Sequence, residues 1–253
     1  MGTFSYTLVI MNEKDTPKYI HPLTSAVRDI FAIFTELGFE VASGPELETE
    51  HYNFDALNVA KNHPARDMQD TFWVDEKRVL RTHDTSVTAH KLEENDGDMR
   101  YVSCGKAYRN EATDMTHEAQ FFQVDAFAVG KDITLAHLKG TLETFFSKFL
   151  GGAVEIRFRP GFFPFVEPGV EVDMRLIGDN IPERLKGKWI EILGAGMLHP
   201  NVLRAGGINP EEYQGWAFGG GIERLCMLKW EIVDVRFFHS GDLRFIQQFI
   251  VNE

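Results

Sequence analysis

The chain is poor in cysteine and in basic residues, and it lacks long apolar runs. Its 253 residues include two cysteines, Cys104 and Cys226, which are far apart and in no metal-ligand spacing. This usage is typical of a reduced protein, and we expect a cytoplasmic location. No apolar run approaches the length of a membrane-spanning helix, so we expect no membrane contact. The chain has 26 Lys and Arg residues and 38 Asp and Glu residues, which gives a net charge of −12. This charge argues against binding to DNA and limits any RNA contact to a local basic patch or a partner.

The common phosphate-binding loops are also absent. The sequence contains no GxxxxGK[ST], and no GxGxxG follows a predicted strand. It does contain a glycine run at 219–221, which ends a predicted strand and leads directly into a predicted helix. Arg224 lies in the first turn of that helix, where the helix dipole disfavours a cation. An anion above the glycines is one reason for an arginine there; the alternative is a glycine-rich turn with a surface arginine.

Hydrophobic periodicity predicts an α+β fold with a mainly antiparallel sheet flanked by helices. Apolar stripes predict helices over 24–37, with Thr24 as N-cap, and over 133–149. Strands are predicted over 101–109 and 121–129, joined as an antiparallel hairpin by a long polar loop. We predict a short N-terminal extension over 1–20, with a strand at 4–10, and one large domain over 21–253. Runs of strands separated by a few helices indicate this fold class.

The hairpin carries residues suited to polyphosphate chemistry. Arg109 ends its first strand and can clamp a phosphate through two hydrogen bonds. Glu111 follows on the same face, and Phe121, at the return of the hairpin, can stack on a base. A surface ion pair between Arg109 and Glu111, with Phe121 in the core, is the alternative interpretation.

These residues form recognisable motifs. Residues 108–111 (YRNE), 116–117 (TH) and 121–123 (FFQ) resemble motif 2 of class II aminoacyl-tRNA synthetases. Residues 219–224 (GGGIER) resemble motif 3, and the helix at 24–37 with Gly38 and Pro45 resembles motif 1, which usually forms a subunit interface. More narrowly, roughly residues 21–250 resemble the alpha chains of bacterial-type phenylalanyl-tRNA synthetases. The further matches are 55–58 (DALN), 63–68 (HPARDM), 80–83 (LRTH), 163–165 (FPF), 191–197 (EILGAGM), 199–203 (HPNVL) and 242–245 (DLRF).

The resemblance implies a class II catalytic domain that binds ATP in a bent form. Arg109 is then expected on the alpha-phosphate and Arg224 on the gamma-phosphate, and Phe121 is expected to stack on adenine. The resemblance places Mg²⁺ on Glu167, in a site that the family shares with its beta chain, where the ion neutralises phosphate charge. Of these, Arg109, Arg224 and Glu111 are the expected catalytic residues, and Glu111, His117 and Gly221 complete the expected ATP site.

An amino-acid pocket is expected beside the ATP site. Phe163 and Phe165 alternate along an extended segment, so both rings face one way and suit contact with a substrate ring. Without the flanking motifs, two core phenylalanines would be the simpler interpretation. Ala217 is expected at the floor, where a small side chain leaves room for a phenyl group. The expected partners of the substrate ammonium are His83, Thr85, Gln123 and Asp125.

The implied reaction activates phenylalanine with ATP and transfers it to tRNA(Phe), with a separate beta chain in an assembly of two alpha and two beta chains. Family alpha chains usually carry an N-terminal coiled coil, and residues 1–20 show no heptads. We therefore expect weaker tRNA contact, or contact supplied by another chain. The family commonly has Glu at the position of Asp125 and Thr-Ser at the positions of Asp84 and Thr85, so we expect altered affinity. Two alternatives stay open, a non-catalytic synthetase-like binding protein and an enzyme that activates an amino acid for a product other than tRNA.

Overall fold

A computed structural model describes residues 18–66, 71–94, 97–110, 112–115, 118–179, 181 and 183–250. The predicted strand at 4–10 lies outside these residues. The α-helices are α1 (Pro22–Glu36), α2 (Ser86–Glu94), α3 (Leu135–Leu150), α4 (Pro200–Ala205), α5 (Ile222–Lys229) and α6 (Leu243–Ile246). The strands are β1 (Glu40–Ala42), β2 (Leu47–Thr49), β3 (Arg78–Leu80), β4 (Met99–Tyr108), β5 (Gln120–Gly130), β6 (Ala153–Pro160), β7 (Val166–Ile177), β8 (Ile190–Leu198) and β9 (Gln214–Gly221).

Seven strands form one sheet in the order β1-β4-β5-β9-β8-β7-β6. Only β1 and β4 are paired in parallel, and the other neighbours in this sheet are antiparallel. The α+β prediction with a mainly antiparallel sheet is therefore confirmed, as is the hairpin of β4 and β5. Strand β9 comes last in the sequence but lies between β5 and β8, so the glycine run ends up near the centre of the sheet.

The two faces of the sheet bury different side chains because successive residues of a strand point to opposite sides. On β9, Trp216 and Phe218 pack into a core with α1, α3 and α5, while Ala217 belongs to a separate cluster on the other face. In the first core, Phe34 contacts Phe39 edge to face, with ring centroids 5.1 Å apart. Full burial of such a side chain stabilises the fold by about 1.5–3 kcal/mol. The face covered by α1, α3 and α5 is thus packed as a core, and the opposite face carries the second cluster, with α2 and α4, and room for a site.

The helix ends show where local chemistry sets the boundaries. The prediction of Thr24 as N-cap is wrong, because α1 begins at Pro22 and the His21 ring accepts a hydrogen bond from the Leu23 N–H at 3.3 Å. Proline is well suited to the first helical position, since its φ is preset and its missing N–H is not needed there. Helix α3, predicted over 133–149, spans Leu135–Leu150 and is capped by Gly151, which has a φ of 72°.

Candidate active site

A cavity of about 470 Å³ opens on the sheet face opposite α1 and α3. Most of the side chains predicted for a site lie in its wall, although they come from distant parts of the sequence. Glu111 and His117 lie outside the described residues, and Glu167 is exposed but does not line the cavity. The predicted residues that do line it are His83, Thr85, Arg109, Phe121, Gln123, Asp125, Phe163, Phe165, Ala217, Gly221 and Arg224.

Strand register creates an open floor across the middle of this cavity. Asp125 on β5 pairs with Gly219 on β9, and Gly219 pairs with Gly194 on β8. A Cβ atom on Gly219 would lie 2.5 Å from Nε2 of Gln123 and 2.8 Å from Oδ2 of Asp125. The glycine at position 219 therefore makes room for the Gln123 and Asp125 side chains over β9, and any side chain there would displace them.

The acidic end of the cavity is built around Asp125, which is only 2% exposed. Its carboxylate accepts hydrogen bonds from Thr85 Oγ1 at 2.7 Å, Thr88 Oγ1 at 3.1 Å and Gln123 Nε2 at 3.3 Å. Burial raises the pKa of Asp125 to about 7, and these three donors oppose the shift only partly. A buried carboxylate held by neutral donors alone is a strong acceptor for a ligand cation.

A second buried carboxylate lies behind the first. Asp84 is 1% exposed, and its Oδ1 is 2.7 Å from Nη1 of Arg81. Arg81 also donates through Nε to the Lys106 carbonyl at 2.7 Å, which fixes the guanidinium against β4. Burial raises the pKa of Asp84, and the Arg81 charge works in the opposite direction. The ion pair anchors the segment that delivers His83 and Thr85 to the cavity.

Burial also keeps His83 neutral. It lowers the pKa of the imidazole to about 3, and the charges of Arg109 and Arg81 lower it further. Among the described residues, its Nδ1 has no hydrogen-bond partner. A neutral imidazole at the cavity wall can donate or accept a hydrogen bond without adding charge.

The opposite end of the cavity is aromatic. The rings of Phe163 and Phe165 stack with centroids 6.1 Å apart and planes inclined by 26°. Phe163 passes directly over Gly194, where a Cβ atom would lie 2.6 Å from Cζ of the ring. Ala217, which is 3% exposed, contributes only a methyl group to the wall. Phe163, Phe165 and Ala217 thus form an apolar part of the cavity wall, and the absence of a side chain at Gly194 permits the position of the Phe163 ring.

The third part of the cavity carries the two predicted arginines. Arg109 follows the end of β4, and its Cζ lies 5.0 Å from the centroid of the Phe121 ring. Its Nε donates to the Thr82 carbonyl at 3.3 Å. Arg224 is exposed in the first turn of α5 and lines the same cavity. The fold therefore brings to one cavity two guanidinium groups and an aromatic ring from separate motifs.

Glu223 is a residue of this site that the sequence reasoning did not single out. Its carboxylate is 3% exposed and accepts the Phe122 N–H at 2.8 and 3.0 Å, which continues the hydrogen bonding of β5 beyond the end of β9. The same carboxylate lies 3.8 Å from Nε2 of His239 and raises the pKa of that imidazole. The contact joins the start of α5 to β5 and so fixes Arg224 relative to Phe121. The sequence signal that could have identified Glu223 is an acidic residue in the first turn of the predicted helix, on its apolar side.

Glu167 can contribute one carboxylate to a metal ion. Among the residues that the structure describes, no group of three or more His, Cys, Asp or Glu side chains is arranged to hold a metal. Mg²⁺ usually binds through one or two carboxylates together with substrate phosphates and water, rather than in an all-protein cage. A single exposed glutamate fits that mode of binding. Within the described part of the chain, no helix is both long and apolar enough to span a bilayer.

Comparisons with known proteins agree with this geometry. The family model of the class II core domain of tRNA synthetases (F) matches residues 5–249, a span that contains every residue lining the cavity. Phenylalanine–tRNA ligase alpha subunits of Bacillus mycoides, Bacillus cytotoxicus and Bacillus cereus are each 49% identical to this chain over 234 residues. Each alignment covers 90% of this chain and 68% of the relative.

Proposed function

The chain belongs to the class II tRNA synthetases and, within them, to the phenylalanine–tRNA ligase alpha subunits, and we propose that it is the catalytic alpha chain of such a ligase. It activates phenylalanine with ATP to phenylalanyl-adenylate and transfers the acyl group to tRNA(Phe). The family membership rests on the matched domain and on the 49% identity over 90% of the chain. The main observation that supports the site assignment is a row of residues across the sheet, with the Asp125 carboxylate at one end and the rings of Phe163 and Phe165 at the other.

Phenylalanine fits that row in one orientation. Its ammonium group lies at Asp125, whose buried carboxylate needs a cation and whose position depends on the absence of a side chain at Gly219. Its phenyl ring reaches Phe163 and Phe165, which offer edge and face contacts to another aromatic ring. Ala217 lies at the end of this pocket. Gln123, Thr85 and the neutral His83 supply further hydrogen-bonding groups around the amino-acid backbone.

The arginine end of the cavity takes ATP. Phe121 stacks on the adenine ring, and the guanidinium groups of Arg109 and Arg224 hold the alpha- and gamma-phosphates. Gly221 leaves the approach to the phosphates free of a side chain. We assign Glu111 and His117 to the same ATP site on the strength of the motif they belong to. Planar guanidinium groups suit phosphate oxygens because each can donate two parallel hydrogen bonds.

This arrangement supports direct adenylation without a covalent protein intermediate. The phenylalanine carboxylate attacks the alpha-phosphate in line, a new P–O bond forms, and the bond to the pyrophosphate leaving group breaks. A terminal adenosine hydroxyl of the tRNA then takes the acyl group and releases AMP. The protein contributes orientation of the two substrates and positive charge where negative charge accumulates. Glu167 would supply one carboxylate to Mg²⁺, which when bound would add positive charge against the phosphates.

The name of the relatives, alpha subunit, supports a beta subunit as the partner. We propose two alpha and two beta chains in the complete enzyme and a cytoplasmic location. We further propose that the beta chain supplies part of the tRNA contact, because the net charge of −12 makes this chain a poor RNA-binding surface as a whole.

Phenylalanine-dependent ATP–pyrophosphate exchange, measured with the chain and its beta partner together, tests the proposal. Exchange is expected with phenylalanine and not with tyrosine, leucine or in the absence of an amino acid. Exchange driven by a different amino acid would refute the substrate assignment. Charging of tRNA(Phe) in the same preparation separates a tRNA ligase from an enzyme that makes another aminoacyl product.

A further inference from the structure

Asp84 and Asp125 are neighbours on the cavity face of the sheet, although they belong to different segments. A Cβ atom on Gly105 would lie 2.6 Å from Oδ1 of Asp84, so this carboxylate sits directly over β4. Two residues of β4 pair with residues of the adjacent strand β5: Gly105 pairs with Gln123, and Ser103 pairs with Asp125. Paired residues in an antiparallel sheet have Cα atoms about 4.5–5.5 Å apart. The two carboxylates therefore share one small buried volume.

The charges in this volume do not balance when the amino acid is absent. Arg81 neutralises Asp84 through the contact at 2.7 Å. The other titratable side chain that the segment between β3 and α2 places here is His83, and burial keeps its imidazole uncharged. Strand β4 contributes the uncharged Ser103 side chain, which pairs with Asp125 in the sheet and hydrogen-bonds to Asp84. Helix α2 contributes the uncharged Thr88 hydroxyl, and β9 contributes Gly219, which has no side chain.

Among the residues that the structure describes, one buried negative charge is then left without a counterion. Burial of an unpaired carboxylate is costly, and two interacting carboxylates titrate as a coupled pair. The charge of Asp84 adds to burial in raising the pKa of Asp125 to about 7. A bound ammonium group supplies the missing positive charge.

We propose that the pair of Asp84 and Asp125 carries one proton in the free protein, held on Asp125 beside the ionised Asp84, and that the ammonium group of the amino acid replaces this proton on binding. The exchange balances, because a singly protonated pair and a cationic amino acid give two carboxylates, a bound ammonium group and one released proton. Asp84 acts in this as a positioning residue, since its charge holds the proton on Asp125 while Asp125 contacts the substrate. The inference rests on the proposed function, because it takes the ammonium group of phenylalanine as the cation.

The number of protons released on binding tests the proposal. It is measured by titration calorimetry of phenylalanine into the complex of this chain with its beta partner, in two buffers of different ionisation enthalpy. About one proton is expected to be released near pH 6, about half at pH 7 and almost none at pH 8. Phenylpropanoic acid, which has the same ring and carboxylate but no amino group, is expected to release none.

Two variants assign the proton to the pair. Asp84→Asn removes the charge that holds the proton, so the pH of half release is expected to move down and release at pH 7 to fall. Asp125→Asn removes the acceptor, and release is expected to vanish. Asp75→Asn, in an exposed turn away from the cavity, serves as the matched control and is expected to behave like the unchanged protein.

The possible failures are distinguishable. If phenylalanine binds the unchanged complex without releasing protons between pH 6 and pH 8, the proton-exchange inference is wrong and the proposed function stands. If phenylalanine does not bind, the proposed function itself is refuted and the inference falls with it. An unchanged release profile in the Asp84→Asn protein would remove Asp84 from the pair. The measurement on the unchanged complex decides the main point even if a variant does not fold.

Discussion

Asp125 on β5 lies directly opposite Gly219 on β9, and a methyl group at position 219 would stand 2.8 Å from its Oδ2 atom. The position of the acid therefore depends on the glycine, because the missing side chain at position 219 leaves the space that the Asp125 carboxylate occupies. The pairing depends on the insertion of β9 between β5 and β8. It leads to the first prediction.

Gly219→Ala is expected to raise the KM for phenylalanine by about 10- to 100-fold, because the new methyl displaces Gln123 and Asp125 from the ammonium site. The KM for ATP is expected to change much less. Pyrophosphate exchange at varied phenylalanine concentrations measures the effect. Gly140→Ala is the matched control, since a Cβ at that position meets no atom within 4 Å. An unchanged KM for phenylalanine would show that the positions of Gln123 and Asp125 over Gly219 do not matter for binding the substrate.

Ala217→Gly is expected to admit phenylalanine analogues with a para halogen. Removal of the methyl lengthens the aromatic end of the cavity, and a group of this size changes discrimination by about tenfold or more. Exchange with para-chlorophenylalanine and with phenylalanine gives the ratio. Ala126→Gly removes a methyl from the helix side of the sheet and controls for general loosening. No change in substrate range would exclude Ala217 from the pocket.

Arg224→Ala is expected to lower kcat/KM for adenylation by about 100- to 1,000-fold without lowering the melting temperature. The side chain is exposed on α5, so its loss removes phosphate binding but little packing. Arg224→Lys is expected to recover only part of the rate, because lysine cannot make two parallel hydrogen bonds. Arg204→Ala, in an exposed position on α4, is the control. Full activity of the alanine variant would contradict the assignment of Arg224 to ATP.

Asp125→Asn is expected to stabilise the free protein more at pH 8 than at pH 5. The folded-state pKa of Asp125 is raised from 3.8 to about 7, so this group costs stability increasingly as pH rises between those values. The full cost is about 4 kcal/mol. Urea unfolding at the two pH values measures the difference between variant and parent.

Asp173→Asn is the matched control for that experiment. Asp173 is also buried, but hydrogen bonds from Arg159 lower its pKa. Its stabilising contribution is therefore complete above its unfolded value of 3.8 and is lost only as pH falls below it. The effect of Asp173→Asn is expected to be the same at both pH values. An equally constant effect for Asp125→Asn would mean that its pKa is not raised.

Removal of Mg²⁺ with a chelator is expected to abolish pyrophosphate exchange, and added Mg²⁺ to restore it. Glu167→Gln is expected to raise the Mg²⁺ concentration needed for half-maximal exchange, because the carboxylate is lost. Glu171→Gln, further along the same strand, is the control, and its carboxylate pairs with Arg159 instead. If Glu167→Gln requires no more Mg²⁺ than the parent, Glu167 is not a ligand.

Local pattern was enough to predict the hairpin of β4 and β5, the strand and helix that flank the glycine run, and the long helix α3. These features depend on periodicity and on turn residues, which act over a few positions of the chain. The resemblance to motifs 2 and 3 then selected Arg109, Phe121 and Arg224, and the fold brings all three to one cavity. The N-cap of α1 was missed because a histidine before a proline is a weaker signal than a threonine.

The sequence by itself thus determined the elements, the family and most of the residue types at the site. Only the tertiary structure decided which residues became neighbours. It set β9 between β5 and β8, placed Asp84 beside Asp125, and bonded Glu223 to Phe122 across 101 positions of the chain. The physical reason is that strand register and burial act between distant segments. The charge balance around Asp125 depends on neighbours that no local pattern specifies.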